Sequence, residues 1–354
     1  MVLILAISIL GIIAVTNWGL PAIREMQTNV EYRTMMDQFR DLDATMQHLI
    51  SGSAGQTTFK WQPIISQGSV DVEQDTDRWM TAADVVNTVN VTWTSVNDTD
   101  NKLVFRPNNT IASLVVKAWR WDGGAAVEMK VNSTTGGSCS APGGSASANA
   151  NYTFYLHENS TGCTKANVTN AVMSLSIYSG STLVHRAFIV DVGHVHWDSI
   201  EGNRGPRHVY ASNGGLFSGP SDALLLESAL AVPPPRDFTS SSGVDSTSMF
   251  VRLVKFNGTA SFSATPGAGE HYSIFLNLVG TYTLGTVDNV TNAYVYAWGD
   301  LKNGSYGALQ DEIAGYRFDE FTQPATGERY LMQAEGAKPF KYTVVYSLVS
   351  VEGS

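Results

Sequence analysis

The sequence predicts an α+β protein in which a long N-terminal α-helix, kinked near Pro21, precedes a large all-β, β-sandwich-like globular head. Three observations predict this fold class. Residues 1–23 carry no charged side chain, and apolar residues then recur every three or four positions up to about residue 50. Beyond that point, short runs of β-branched and aromatic residues alternate with Gly, Asn, Pro and Ser. The predicted boundaries are 1–52 for the helix and 53–354 for the head.

The first 23 residues form an uncharged, apolar segment. About 20 apolar helical residues cover the hydrocarbon core of a bilayer, so this segment is long enough to span a membrane. A secretory signal would begin with a basic stretch and end at a small-residue cleavage site, and neither is seen. We therefore expect a processed chain whose leader has been removed.

Residues 24–50 continue as an amphipathic helix. Pro21 lacks a backbone N–H and its ring clashes with the preceding turn, so a kink or local unwinding is expected between Asn17 and Pro21. The glycines of SGSAGQTT, residues 51–58, predict the helix end. One apolar face comprises Met26, Val30, Met35, Phe39, Leu42, Met46 and Leu49. The charged residues expected mainly on the solvated side are Glu31, Arg33, Asp37, Arg40, Asp41 and Asp43.

The head contains many short runs with strand character, which favours a β-sandwich. The predicted strands are 89–93, 103–106, 113–121, 126–131, 152–157, 173–178, 183–190, 249–256, 273–278, 293–298 and 341–351. Short helices are predicted at 79–87, 221–230 and 308–314. The proline-rich stretch VPPPRDFTSSSGVDSTS, residues 232–248, is the most linker-like. The sequence leaves open whether the head is one unit or two subdomains divided within 200–248.

The charge and cysteine content narrow the class of protein. Charged residues make up only 15% of the 354 residues, the net charge is -10 and no Lys/Arg-rich run occurs. A nucleic-acid partner is therefore excluded. Cys139 and Cys163 flank a segment rich in Gly, Ser and Asn, and in an oxidising compartment we expect them to form a disulfide.

Asn-x-Ser/Thr sequons are frequent in the head and absent before residue 90, which fits an exported, glycosylated surface. The candidate glycosylation sites are Asn90, Asn97, Asn108, Asn132, Asn151, Asn159, Asn167, Asn257, Asn289 and Asn303.

No catalytic residue, cofactor or metal site is predicted. The sequence lacks a nucleophile elbow, a P-loop, an H-E-x-x-H motif and a dinucleotide-binding fingerprint in its required context. His194 and His196 share one strand face near Asp191, and two imidazoles at that spacing can begin a metal site. A third convergent ligand is not evident, although His185 and His208 are close in sequence. Hydrogen-bonded strand histidines are the preferred interpretation, and the chain is expected not to be an enzyme.

The N-terminal half of this pattern resembles the type IV pilin superfamily, specifically archaeal type IV pilins and pilin-like proteins in their mature, processed form. The resembling segments are MVLILAISILGIIAV, the GLPAI step with Pro21, and REMQTNVEYRTMMDQFRDLDATMQHLI leading into a β-rich head. The head stretch HVYASNGGLFSG is also similar to large archaeal members. Leu5 stands where many bacterial pilins carry a glutamate, which favours an archaeal assembly without that charge pairing.

The resemblance implies a structural protein, the major subunit of an extracellular helical filament used for surface adhesion. Its copies would polymerise through the N-terminal helices, after insertion of each helix in the cytoplasmic membrane. Further partners implied are a prepilin peptidase, the pilus assembly machinery and N-linked glycans. The residues expected in the polymerisation core are Leu3, Leu5, Ile9, Ile12, Ile13, Trp18, Leu20, Pro21, Met26, Met35, Phe39 and Leu42.

Two alternatives remain open at this point. An archaellin, the subunit of the archaeal motility filament, shares the same construction, and only Pro21 and the large head favour a pilin. A membrane-anchored monomeric ectodomain with a binding role is the other alternative, and it predicts a concave pocket lined by convergent polar groups.

Overall fold

A computed structural model describes residues 8, 11–13, 15–51, 57–85, 88–97, 102–122, 125–133, 144–157, 172–199, 207–212, 215–219, 225–228, 236–239, 245–264, 270–298, 330–333 and 339–353. Within these residues an N-terminal helix is followed by a large, mostly β part, as the sequence predicts.

The helix changes geometry close to its proline. A π-helical turn, Val15–Gly19, leads directly into the helix α1, Leu20–Ser51. Because Pro21 has no N–H to donate to the carbonyl of Asn17, the regular α pattern cannot continue through this turn. The departure from α geometry therefore lies where the proline predicts it.

The described part of the head consists of β-strands. They are β1 (Thr58–Trp61), β2 (Ile64–Ile65), β3 (Gly68–Val85), β4 (Val91–Asn97), β5 (Lys102–Pro107), β6 (Leu114–Asp122), β7 (Ala125–Ser133), β8 (Tyr152–His157), β9 (Val172–Ser179), β10 (Thr182–Asp198), β11 (His208–Ser212), β12 (Gly215–Gly219), β13 (Leu225–Ser228), β14 (Arg236–Thr239), β15 (Asp245–Asn257), β16 (Ala260–Ala264), β17 (Glu270–His271), β18 (Ile274–Trp298), β19 (Tyr330–Gln333) and β20 (Phe340–Gly353).

Three long strands join the described strands into one mixed sheet. β3 pairs with β10 along one edge, while its other edge pairs with β16 through residues 68–72 and with β18 through residues 78–85. β18 also pairs antiparallel with β20, which pairs parallel with β15. The result is an 18-stranded sheet, with β2 and β17 paired separately. The β-sandwich prediction is not confirmed, because each long strand changes partners along its length and links groups of strands that a sandwich would separate.

Both faces of β3 are covered near residues 79 and 80. Trp79 and Met80 are adjacent in β3 and point to opposite faces, where they enter two different buried clusters. The first cluster also contains Phe188 and Tyr342, and the second contains Phe105. A third cluster lies between α1 and the sheet.

All eleven predicted strands overlap an observed strand, and the runs 273–278 and 293–298 belong to the single strand β18. The helix predicted at 79–87 is wrong, because residues 79–85 continue β3. Burial on both faces removes the polar alternation that would identify this strand. The helix predicted at 221–230 is wrong for Leu225–Ser228, which form β13. The segment 308–314 lies outside the described residues.

Candidate assembly surface

The N-terminal helix has an exposed first part and a buried second part within a single chain. In the first part, Ile12 is 63% exposed, Met26 is 69% exposed and Val30 is 64% exposed. Burial begins at Thr28 and Glu31, and the apolar face is buried from Met35 onward. The apolar face predicted from the sequence is therefore exposed in the first part of the helix and buried against the head in the second part.

The buried part of α1 packs on the sheet through the third cluster. Phe39 is fully buried and meets the ring of Trp61 edge to face, with 5.1 Å between ring centroids. The other buried helix residues of this cluster are Met35, Met36, Leu42, Met46, Leu49 and Ile50. Their partners on the strands include Val70, Val195, Trp197, Phe256 and Ile274.

Tyr32 fixes the helix at the point where it leaves the head. Its hydroxyl donates to Ser218 Oγ at 2.9 Å, and its ring centroid lies 6.5 Å from that of Trp197. The guanidinium of Arg207 lies 4.9 Å from the Tyr32 ring centroid, which adds a cation–π contact. Two strands, β10 and β12, and the residue before β11 thus hold one helix residue.

Hydrogen bonds made by three polar side chains secure the rest of the buried part. Glu31 Oε1 accepts from the backbone N–H of Ser66 at 2.8 Å, and Gln38 exchanges two hydrogen bonds with the backbone of Ile64. At the C-terminal end of the helix, Arg252 donates to the carbonyl of Ile50 at 3.0 Å. A cation at this end also complements the helix dipole. The second part of α1 is therefore an integral part of the head.

The large side chains described as exposed in the first part of the helix are mainly apolar. The apolar ones are Ile12, Ile13, Val15, Leu20, Ile23, Met26 and Val30. The hydroxyl of Thr16 bonds within the helix, because it donates to the carbonyl of Ile12 at 2.9 Å. Exposed apolar side chains grouped along one helix mark an interaction site. Among the described residues, no helix combines the length and the apolar character needed to cross a membrane.

The residues predicted for the polymerisation core fall into three groups. Ile12, Ile13, Leu20 and Met26 are exposed, and Pro21 is half-buried. Trp18 lies in the π-helical turn, whereas Leu3, Leu5 and Ile9 lie outside the described residues. The placement of Met35, Phe39 and Leu42 has to be corrected, because the head of the same chain buries them completely. They have no surface left for a neighbouring subunit.

The sequons that the structure describes lie on the head. Asn108, Asn151, Asn257 and Asn289 are exposed, and Asn90 is half-buried. Asn97 and Asn132 lie in β4 and β7. The remaining candidates, Asn159, Asn167 and Asn303, lie outside the described residues, as do both cysteines of the predicted disulfide, Cys139 and Cys163.

Three of the candidate histidines meet on the sheet face opposite to the helix. His194, His196 and His208 surround the ring of Tyr210, with centroid distances of 5.2, 5.3 and 5.9 Å. The alternate side chains of β10, Val195 and Trp197, face α1 instead. Among the described residues, no group of His, Cys, Asp or Glu has the arrangement of a metal site.

One carboxylate contacts two histidines of this cluster. Asp198 bonds His208 Nδ1, and its Oδ2 lies 3.5 Å from His196 Nε2. Burial opposes the charge on His196, but its bond to Asp198 and the charges of Asp198, Asp71 and Glu73 raise its pKa. Burial likewise opposes the charge on Asp198, but the bonds to His196 and His208 hold the pKa of Asp198 well below its ordinary value of 3.8. The shifts therefore favour a positively charged His196 beside a negatively charged Asp198.

His185 and Asp191 do not belong to this cluster. His185 Nδ1 lies 2.6 Å from Asp84 Oδ1, and its Nε2 accepts from Trp93 Nε1 at 2.9 Å. The carbonyl of Asp191 accepts from Lys255 Nζ at 3.0 Å. The buried imidazole of His185 is thus hydrogen-bonded at both nitrogens.

The described part of the sheet also contains a groove. It has a volume of about 480 Å³ and lies where β3 changes partner from β16 to β18. Its lining includes Asp71, Glu73, Gln74, Thr259 and Ser261. Two carboxylates alone do not define a ligand.

Comparison with known proteins finds no matching family model, no matching curated protein and no matching solved structure. The class of protein therefore rests on the helix and the head themselves.

Sequence reasoning did not identify the residues that dock the helix. Tyr32, Arg207 and Ser218 are ordinary surface-type residues in the sequence, and their roles depend on the fold that brings distant parts of the chain together. Glu31 was expected on the solvated face, yet it is buried because Ser66 donates to it. The only sequence signal for docking is the apolar periodicity after residue 30.

Proposed function

We propose that this chain is a structural, non-catalytic subunit of an extracellular filament of the archaeal type IV pilus kind. One observation carries the proposal: the apolar face of a single continuous helix is buried by its own head from Met35 onward but exposed from Ile12 to Val30. An apolar helix surface needs lipid or a second apolar surface to cover it. Copies of the same helix supply that cover in a filament.

The division of the helix also gives a role to each half. The second half holds the head in a fixed position on the rod, through Tyr32, Gln38 and the third cluster. A head that is rigid on its rod presents the same surfaces in every subunit, as a helical polymer requires. Head-to-tail contacts that do not close into a ring then extend without limit.

The remaining parts of the proposal follow from the resemblance. Each chain is inserted in the cytoplasmic membrane through its N-terminal helix, processed by a prepilin peptidase and extracted by an assembly machinery. The head then lies at the cell surface, where adhesion is its function and several sequons carry N-linked glycans. The absence of charged side chains from residues 1–23 supports this order of events.

We also propose that the sheet of the head folds back into sandwich-like layers. Buried side chains form three separate clusters, and residues on both faces of β3 enter them. A single open sheet has no second layer to cover both of its faces.

Electron microscopy of material sheared from the surface of expressing cells tests the filament proposal. We expect filaments that contain this chain. Protein confined to membranes, with no filaments in the sheared fraction, would instead support the tethered ectodomain. If deletion of the gene abolishes swimming, the filament is an archaellum and the adhesion role is wrong.

Point variants test whether the rod is the assembly surface. Ile12→Lys and Leu5→Lys should abolish filaments, because each places a charge in an apolar bundle at a cost of several kcal/mol. Val279→Lys is the matched control, since Val279 is 54% exposed on the head. Circular dichroism should show a folded head in all three variants. A normal filament yield from both rod variants contradicts the proposal.

A further inference from the structure

One face of β6, β9 and β10 carries cationic and aromatic side chains around two serines. Ser176 lies opposite Lys117 on β6 and opposite Arg186 on β10, and Ser174 lies between Trp119 and Phe188 in the same way. These six residues, Lys117, Trp119, Ser174, Ser176, Arg186 and Phe188, are called the Arg186 slot.

The guanidinium of Arg186 is enclosed by rings and by a strand backbone. Its central carbon lies 6.0 Å from the Trp119 ring centroid and 5.3 Å from that of Phe188. On another side β18 approaches so closely that a Cβ added to Gly285 would lie 3.1 Å from the same carbon. Trp119 and Arg186 remain half-buried and Lys117 is exposed at the rim of the slot, whereas Ser174 and Ser176 are buried.

The slot has positive charge without a counter-charge. Among the described residues, no Asp or Glu oxygen forms an ion pair with Arg186 or Lys117, and Lys117 Nζ instead lies 5.6 Å from the Tyr178 ring centroid. Burial lowers the pKa of Arg186, which is partly offset by the nearby Tyr178. A half-buried arginine is normally paired with a carboxylate or another acceptor. This charge distribution favours an anion as a ligand.

Several polar atoms at the slot also lack hydrogen-bond partners within the described part of the chain. They are Arg186 Nε, Ser174 Oγ and Ser176 Oγ, together with Nε1 of the neighbouring Trp121. Most buried polar atoms in proteins are hydrogen-bonded, so a group of such atoms at one place points to an absent partner. All four are N–H or O–H donors, and one of them belongs to the cation itself, which again suits an oxyanion.

We propose that the Arg186 slot binds an acidic sugar residue, a hexuronate, whose carboxylate pairs with Arg186 while its ring packs on Trp119. The charge and the unpaired donors suit the carboxylate, and the half-exposed indole suits the apolar face of a pyranose ring. A simple inorganic anion has no apolar face to pack on the half-exposed indole, and an acidic peptide side chain has no ring. The exposed Lys117 adds attraction at the rim.

The site does not depend on filament formation. Binding is therefore measured on the full chain kept unassembled in detergent. The result then does not depend on whether the chain forms filaments. The titrants are an oligogalacturonate, a neutral galactose oligomer of equal length and sodium acetate, and the readouts are tryptophan fluorescence and calorimetry. We expect saturable binding of the oligogalacturonate that weakens with added salt, and no binding of the neutral oligomer. Equal affinity for acetate or for the neutral oligomer overturns the proposal, as does no binding of the oligogalacturonate.

Variants locate the site. Arg186→Met keeps the apolar stem, removes the carboxylate partner and should weaken binding by about tenfold or more. Arg186→Lys keeps the charge but loses the planar pair of donors, so its affinity should lie between that of the wild type and that of Arg186→Met. Lys60→Gln is the matched control, because Lys60 also lies 5.6 Å from an aromatic centroid but has no arginine beside it. Thermal unfolding checks that each variant is folded, and unchanged affinity in a folded Arg186→Met protein excludes this slot.

Discussion

Asp84 of β3 is fully buried, and it is held by residues from three other strands. Its Oδ1 lies 2.6 Å from His185 Nδ1 and accepts from the backbone N–H of Val91, while its Oδ2 accepts from the hydroxyl of Tyr294 at 2.7 Å. Trp93 completes the network through His185 Nε2. A buried carboxylate is tolerated only when its lone pairs are satisfied in this way. The network therefore fixes how β3, β4, β10 and β18 lie together.

Tyr294→Phe should lower the free energy of unfolding by roughly 1–2 kcal/mol. The substitution removes the hydrogen bond to the buried carboxylate of Asp84 and keeps the aromatic ring. Urea unfolding followed by fluorescence measures the change. Tyr282→Phe is the matched control, since the Tyr282 ring is half-buried against Tyr346 and its hydroxyl is not part of this network. Equal stability of the Tyr294→Phe and wild-type proteins would show that the network is dispensable.

The histidine cluster should make stability depend on pH. The pKa of His196 is raised above its ordinary 6.5, so its contribution is fully present below pH 6.5 and is lost as pH rises through the folded-state pKa. The pKa of Asp198 is lowered from 3.8, so its contribution is present above pH 3.8 and is lost as pH falls through the folded-state pKa. Between pH 3.8 and pH 6.5 both contributions are present.

Thermal unfolding between pH 5 and pH 9, compared for wild type and His196→Gln, measures this dependence. The wild type should lose stability on the alkaline side relative to the variant, whose curve lacks the His196 contribution. His271→Gln is the control, because His271 is exposed at β17. Parallel curves for wild type and His196→Gln would show that the charge of His196 does not stabilise the fold.

At the scale of elements, the helix and most strands were predictable because each has a local signal. The apolar period of residues 24–50 identified α1, and strands such as Tyr152–His157 were predicted with their observed bounds. The long strand β3 was missed because residues 79–85 are buried on both faces and are rich in alanine. Where the helix stops being exposed was also not predictable, because it depends on Tyr32 and Glu31 meeting residues far away in the sequence.

Two methionines on the same helix separate assembly from folding. Met35 is fully buried in the third cluster and Met26 is 69% exposed. Met35→Ala should therefore lower the free energy of unfolding of the detergent-solubilised chain by roughly 2–5 kcal/mol. Met26→Ala should change it by less than about 0.5 kcal/mol but reduce the yield of filaments.

Chemical unfolding and quantitative electron microscopy of the two variants provide the measurements. The chemical change is identical and the secondary structure is the same, so each variant controls for the other. Loss of stability in Met26→Ala, or normal filaments from it, would contradict the assignment of residues 12–30 to the assembly surface.

At the scale of the whole molecule, the sheet is built from contacts between distant parts of the chain. β20, the last described strand, pairs parallel with β15 and antiparallel with β18, and β18 pairs with β3 near the start of the head. Such non-local pairing carries no local sequence signal, which is why the single mixed sheet could not be predicted. The pairing of β1 with β18 also joins the first strand after the helix to this sheet.

The same arrangement predicts where glycans lie. The exposed sequon residues Asn108, Asn151, Asn257 and Asn289 all belong to the head, so we expect glycans there and an intact mass above the 38.2 kDa of the chain. Asn149 provides an internal control: like Asn289 it is exposed and left-handed, with φ of 59° against 57°, but it is not part of a sequon. Mass spectrometry of peptides from native material should find Asn289 modified and Asn149 unmodified. Enzymatic removal of the glycans should leave filaments intact, because the helix carries no sequon, and disassembly on removal would mean that glycans take part in the subunit contacts.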